Sequence, residues 1–153
     1  MAKNAMPERV IDLLLVEDSA ADVRLMREAL RDSKVVSRLT VATDGVEALA
    51  LLRLLDRHVV IPRPDLILLD LNLPKKSGRA VLAEIKKDSN LKSIPVIVIT
   101  SSSAEEDVLQ CYNLHANCYI TKPLEFGNYV KVIKAIEHFW TGIVTLPPNA
   151  ARG

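Results

Sequence analysis

At 153 residues, 49% of them hydrophobic and 25% charged, the chain is long enough for one globular domain with a sizeable core and too apolar to be disordered or fibrous. Twenty Lys and Arg against 19 Asp and Glu leave a net charge of +1 without blocks of like charge, so bulk electrostatics point to neither nucleic acid nor an anionic membrane. Residues 1–10 lack a signal-peptide pattern, and no apolar run approaches the roughly 18 residues a bilayer span needs, which predicts a cytoplasmic protein with no membrane partner.

In chain order, strand and helix signals alternate five times. Residues 11–16 form an apolar run too short for a helix, read as the first strand, and it ends in Glu17-Asp18. Ser19 followed by Asp22 starts the first helix, with Val23, Met26, Ala29 and Leu30 at helical spacing. Residues 38–42 read as a short second strand. Asp44-Gly45-Val46-Glu47 then opens a second helix that aligns Val46, Leu49, Leu52 and Leu55. Residues 58–64, with two prolines, are a connector. Residues 65–70 place four consecutive aliphatic side chains between Pro64-Asp65 and Asp70, as in a strand buried on both faces.

A polar loop through Ser77-Gly78 leads to a third helix marked by Val81, Leu82 and Ile85. The fourth strand, residues 95–100, is β-branched and closes on Thr100 and three serines. Ser103 with Glu106 is a capping box for a fourth helix carrying Val108, Leu109 and Tyr112. Residues 117–121 make a fifth strand ending at Lys122-Pro123, and Tyr129, Val132, Ile133, Ile136 and Trp140 mark the fifth helix. Cys111 and Cys118 form no CxxC pair and have no zinc-spaced neighbours, so they read as reduced packing residues. We take residues 1–9 as an N-terminal extension, 10–140 as the domain and 141–153 as a tail.

Five β-α units with short loops imply an α/β fold, a doubly wound parallel sheet with helices on both faces. Its carboxyl edge then gathers Glu17, Asp18, Asp70, Thr100 and Lys122, where ligands bind in such sheets. Three carboxylates from adjacent strands repel one another unless a cation joins them, and an oxygen-only donor set favours Mg2+. An Asp beside Mg2+ and a Lys is equipped to attack phosphorus. Thr100 can donate to a phosphoryl oxygen, Lys122 can pair with the new charge, and the small Ser101 leaves it room. Singly, each residue has a plainer reading: Asp70 a turn residue, Glu17-Asp18 helix-start acids, Thr100 a cap, Lys122-Pro123 a loop. Their convergence on one edge favours chemistry.

On these residues the chain resembles the receiver domain of two-component response regulators. The resemblance runs from Ile11 to Phe139 and implies a flavodoxin-like (βα)5 fold with five parallel strands in the order 2-1-3-4-5. It implies Asp70 as the phosphoacceptor and Mg2+ held by Asp18, Asp70 and the carbonyl of Asn72, with Glu17 acting mostly through water. It also implies Thr100 and Tyr119 as switch residues and a cis peptide between Lys122 and Pro123. The long segment before Asp70 and the ending His138-Phe139-Trp140 to Pro147 look like the single-domain regulators that partner cyanobacterial and other bacterial phytochromes. This implies a light-sensing histidine kinase as partner, with output by protein contact or phosphorelay and no output domain after Trp140. Phe139, Trp140, Ile143 and Leu146 would either cover the core or, as the resemblance suggests, make a homodimer contact.

Two rival chemistries fit less well. An aspartyl-nucleophile phosphatase wants a second Asp two residues on as general acid, and position 72 is Asn. A flavodoxin-like cofactor carrier needs a phosphate-binding loop after the first strand, where Glu17-Asp18 would repel phosphate. A receiver that binds partners without being phosphorylated is a third alternative, which the intact set of residues disfavours.

Overall fold

The structure, a computed structural model, describes residues 10–33, 35–54 and 61–148. Five strands, β1 (Ile11–Val16), β2 (Ser37–Ala42), β3 (Leu66–Leu69), β4 (Val96–Thr100) and β5 (Cys118–Thr121), form one sheet in the order β2-β1-β3-β4-β5. Every pairing is parallel. The strand order and sheet expected from the sequence are those observed. β1, β3 and β4 are buried along their whole length, which is why they read as unbroken aliphatic runs.

Side chains alternate across the pleat, so each central strand feeds two cores. Leu14, Val16, Ile67, Leu69 and Val98 pack with α2 (Gly45–Arg53) and α3 (Gly78–Lys87) on one face. Leu13, Leu15, Leu66, Leu68 and Ile97 pack with α1 (Ala20–Arg31) and α5 (Phe126–Glu137) on the other. Side-chain caps start three helices: Ser19 accepts from the Asp22 N–H at 3.2 Å, Asp44 from Glu47 at 2.8 Å and Ser77 from Ala80 at 3.2 Å. Among the described residues no helix is long and apolar enough to cross a membrane.

Four expectations need correction. Val46 is 51% exposed, and α2 buries Gly45, Ala48, Leu49 and Leu52 instead, a narrower stripe of the same period; Leu55 lies outside the described residues, as do positions 58–60 of the connector. The Ser103–Glu106 capping box does not form. α4 (Glu105–Asn113) starts after Ala104, which gives no side-chain cap, and Glu105, Glu106 and Asp107 supply the negative charge its first turn favours. Leu109 is 63% exposed and Tyr112 is exposed, because the ion pair between Asp107 and Arg79 of α3 turns the Asp107–Cys111 face inward; Cys111 is the buried residue of α4. Finally, helical turns continue past α5 as a π-helix, His138–Ile143, before Leu146 folds back onto the α1/α5 core at 6% exposure. Both cysteines are free thiols.

Candidate functional site

Because all strands are parallel, their carboxyl ends share one edge, and the backbone ladder continues one residue beyond them. Glu17 N–H donates to Ala42 at 2.9 Å, Asp70 N–H to Val16 at 3.1 Å and Lys122 N–H to Thr100 at 2.7 Å. These bonds fix three functional side chains in register with the sheet. Carboxylate oxygens of Glu17, Asp18 and Asp70 all lie within 4.8 Å of one another. Glu17 and Asp70 are buried and Asp18 is exposed, so the cluster opens to solvent on one side. Three hard oxygen donors at that spacing suit a divalent cation.

Lys122 reaches into the cluster from β5. Its Nζ donates to Glu17 Oε1 at 2.6 Å, Asp22 Oδ2 at 2.8 Å and Asp70 Oδ2 at 3.0 Å. Burial alone would lower its pKa; the bonds to Asp22, Glu17 and Asp70 outweigh that and hold it well above the usual lysine value. Burial pushes the Glu17 carboxyl up to about 7, against the pull of the Lys122 ammonium. The other Asp70 oxygen, Oδ1, accepts from the Asn72 N–H at 3.1 Å, so both carboxylate oxygens are oriented.

The loop after Asp70 depends on Gly78. A Cβ there would stand 2.2 Å from the Asp70 carbonyl oxygen, and the Gly78 N–H donates to Leu71 at 2.9 Å, closing the loop onto the strand. Lys75, at φ 67°, turns the chain within it.

On the neighbouring strand Thr100 is fully buried, and its hydroxyl has no hydrogen-bond partner among the described residues. Such a group normally costs 1–3 kcal/mol, so an acceptor delivered by a ligand would satisfy it. Ser101 is exposed beside it. Ser102 accepts the Ala104 N–H at 3.3 Å on its hydroxyl oxygen, donates to Asp107 at 2.5 Å, and offers its carbonyl oxygen to the Tyr119 hydroxyl at 2.8 Å. This bond holds the Tyr119 ring, which is partly buried, against the α2/α3 core. One expectation at this site needs correction: the Lys122–Pro123 peptide is trans. The amide before proline prefers trans by only about 0.5–1 kcal/mol, and the trans chain here already brings the ammonium to all three carboxylates.

Sequence reasoning brought Glu17, Asp18, Asp70, Thr100 and Lys122 to one edge, and there they stand. It passed over Asp22 and Gly78. Asp22 sits one helical turn beyond Asp18 on a helix whose amino end faces this edge, a spacing that could have flagged it. The tail residues divide: Phe139 and Ile143 are exposed, Trp140 is partly buried with its ring edge-on to Phe139 at 5.8 Å, and Leu146 covers the domain's own core, which removes it as a free contact.

This fold and edge define a receiver, and the chain belongs to the response regulator receiver domain family, whose model matches residues 13–134. Over 147 residues it is 50% identical to the response regulator Rcp1 of Synechocystis sp., an alignment covering 96% of this chain and 99% of that one. The Mn(2+)-bound form of Rcp1 superposes with a TM-score of 0.85 at 50% identity, covering 90% of this chain and 99% of that chain. The phosphorylated cyanobacterial phytochrome response regulator RcpA superposes with a TM-score of 0.87 at 49% identity, covering 92% and 100%. These relatives bear out the resemblance to phytochrome response regulators.

Proposed function

We propose that the chain is a phosphorylation switch that takes a phosphoryl group onto Asp70 from the phosphohistidine of a phytochrome-type, light-sensing histidine kinase in the cytoplasm. The observation that carries this is the pairing of an oriented Asp70 carboxylate, held by Asn72 and Lys122, with a buried Thr100 hydroxyl on the adjacent strand that has no partner among the described residues. In the transfer, an Asp70 carboxylate oxygen forms the new bond to phosphorus as the phosphorus–nitrogen bond breaks, and the electron pair returns to the imidazole nitrogen. Asp18, Asp70 and the Asn72 carbonyl would hold Mg2+, with Glu17 acting through water, and the ion would supply positive charge to the phosphoryl oxygens. Lys122, already on Asp70 Oδ2, supplies further positive charge. Asn72, lacking a proton to give, makes turnover of an external substrate unfavourable, so the chain promotes only its own phosphorylation and dephosphorylation.

The acquired dianion gives the Thr100 hydroxyl an acceptor and draws residues 101–104 toward the site. Through the Ser102 carbonyl that displacement reaches Tyr119, and through the Ser102 hydroxyl it reaches Asp107 at the start of α4. The face formed by α4, β5 and α5, with exposed Leu109 and Tyr112, reads out the change by protein contact or phosphorelay. A swing from mostly off to mostly on needs about 5.5 kcal/mol of differential stabilisation. Exposed Phe139 and Ile143, with Trp140 behind them, make the homodimer contact. The test is phosphotransfer from a purified phytochrome kinase core: label moves to the wild type and not to Asp70→Asn, and labelling of both or of neither contradicts the reading.

A further inference from the structure

The three donors of the Lys122 ammonium are all taken, by Glu17, Asp22 and Asp70. Two of these partners have other duties. Asp70 is the attacking group, and Glu17 belongs to the three-carboxylate cluster suited to a cation, so both contacts must change when cation and phosphoryl group arrive. Asp22 lies outside that cluster. It is fixed in the first turn of α1, where its N–H is bonded to Ser19 Oγ at 3.2 Å and the following N–H, of Val23, to the Ser19 carbonyl at 3.0 Å. Its side chain is one-quarter exposed, whereas that of Lys122 is 12% exposed.

We propose that Asp22 is a positioning residue that anchors the Lys122 ammonium over Asp70 throughout phosphoryl transfer. One donor stays on Asp22, which frees the others to follow the charge as it passes from the Asp70 carboxylate to the phosphoryl oxygens. Without Asp22 the four-carbon lysine stem regains its rotamers and the ammonium is no longer aimed. The inference rests on Asp70 being the phosphoacceptor, and its failure is separable from failure of that reading, which would appear as an unlabelled wild type.

The experiment measures the rate of single phosphoryl incorporation from a small acyl phosphate at saturating Mg2+, by intact mass, for the wild type, Asp22→Ala, Lys122→Ala and the double variant. Asp22→Ala is expected to slow labelling about tenfold in the wild-type background and less than twofold once Lys122 is absent, with Asp22→Asn in between. A second readout covers the case in which Lys122→Ala labels too slowly to time: the Lys122 ammonium protons of the phosphorylated protein exchange slowly with solvent in the wild type and fast in Asp22→Ala. Equal slowing in both backgrounds, no slowing in Asp22→Ala, or unchanged ammonium exchange overturns the proposal.

Discussion

The Tyr119 hydroxyl donates a 2.8 Å hydrogen bond to the carbonyl oxygen of Ser102, joining β5 to the loop that leads from Thr100 into α4. The same serine's hydroxyl is bonded to Asp107, which pairs with Arg79 just after the loop that holds Asp70. A short chain of polar contacts thus links the loops on either side of the site. Tyr119→Phe removes one bond from it and leaves the ring packing intact. We expect a loss of about 0.5–1.5 kcal/mol in chemical denaturation and faster amide exchange at Ala104, whose N–H is bonded to Ser102. An unchanged midpoint and unchanged exchange would show that the loop is held by other means.

Gly78→Ala places a methyl group 2.2 Å from the backbone carbonyl oxygen of Asp70, a residue whose N–H is tied to Val16 at 3.1 Å. The start of α3 must move, at a cost of about 1–3 kcal/mol, and the loop that sets the Asn72 N–H on Asp70 moves with it. Thermal melting of Gly78→Ala against the wild type checks the first effect, and phosphoryl incorporation checks the second; both should fall.

The buried Glu17 carboxyl, raised from 4.5 to about 7, gives a pH dependence with a definite sign. Between those values the folded protein holds a proton on Glu17 that the unfolded chain releases, so the contribution of Glu17 to metal-free stability is fully present below 4.5 and is lost as pH rises through 7. A cation must displace the same proton. Mg2+ affinity should therefore increase from pH 6 to pH 8, measured by titration calorimetry in two buffers to count released protons. Glu17→Gln should flatten both trends; a pH-independent affinity in the wild type would contradict the assignment.

Phe139 and Ile143 expose apolar surface on the π-helical turns after α5, while Leu146 is tucked beneath. Replacing Phe139 and Ile143 together by Ser should shift sedimentation equilibrium from dimer to monomer with little change in melting temperature. Replacing Leu146 by Ala should destabilise the fold by the roughly 2–5 kcal/mol typical of a buried leucine, read as a lower melting temperature.

The sheet was legible because each central strand is buried on both faces and so reads as an uninterrupted aliphatic run between turn residues. The site was legible for a topological reason: parallel strands put the residues after Val16, Leu69, Ile99 and Thr121 on one edge, and these include acids, a threonine and a lysine. What escaped depends on tertiary contacts. Asp22 looks like any first-turn acid until Lys122 is seen to reach it. The inward face of α4 follows from the Arg79–Asp107 pair, which periodicity alone does not weigh, and Ser102 rather than Ser103 engages the helix start. The inward tyrosine and the trans Lys122–Pro123 bond are conformational choices that residue types leave open.

The central claim, that Asp70 carries the phosphoryl group, is tested most directly by incubating the protein with Mg2+ and a small acyl phosphate and weighing it intact. The wild type should gain the mass of one phosphoryl group, the adduct should be lost when Mg2+ is chelated before the donor is added, and Asp70→Asn should gain nothing. An adduct on Asp70→Asn, or an unmodified wild type under saturating donor and Mg2+, would contradict it.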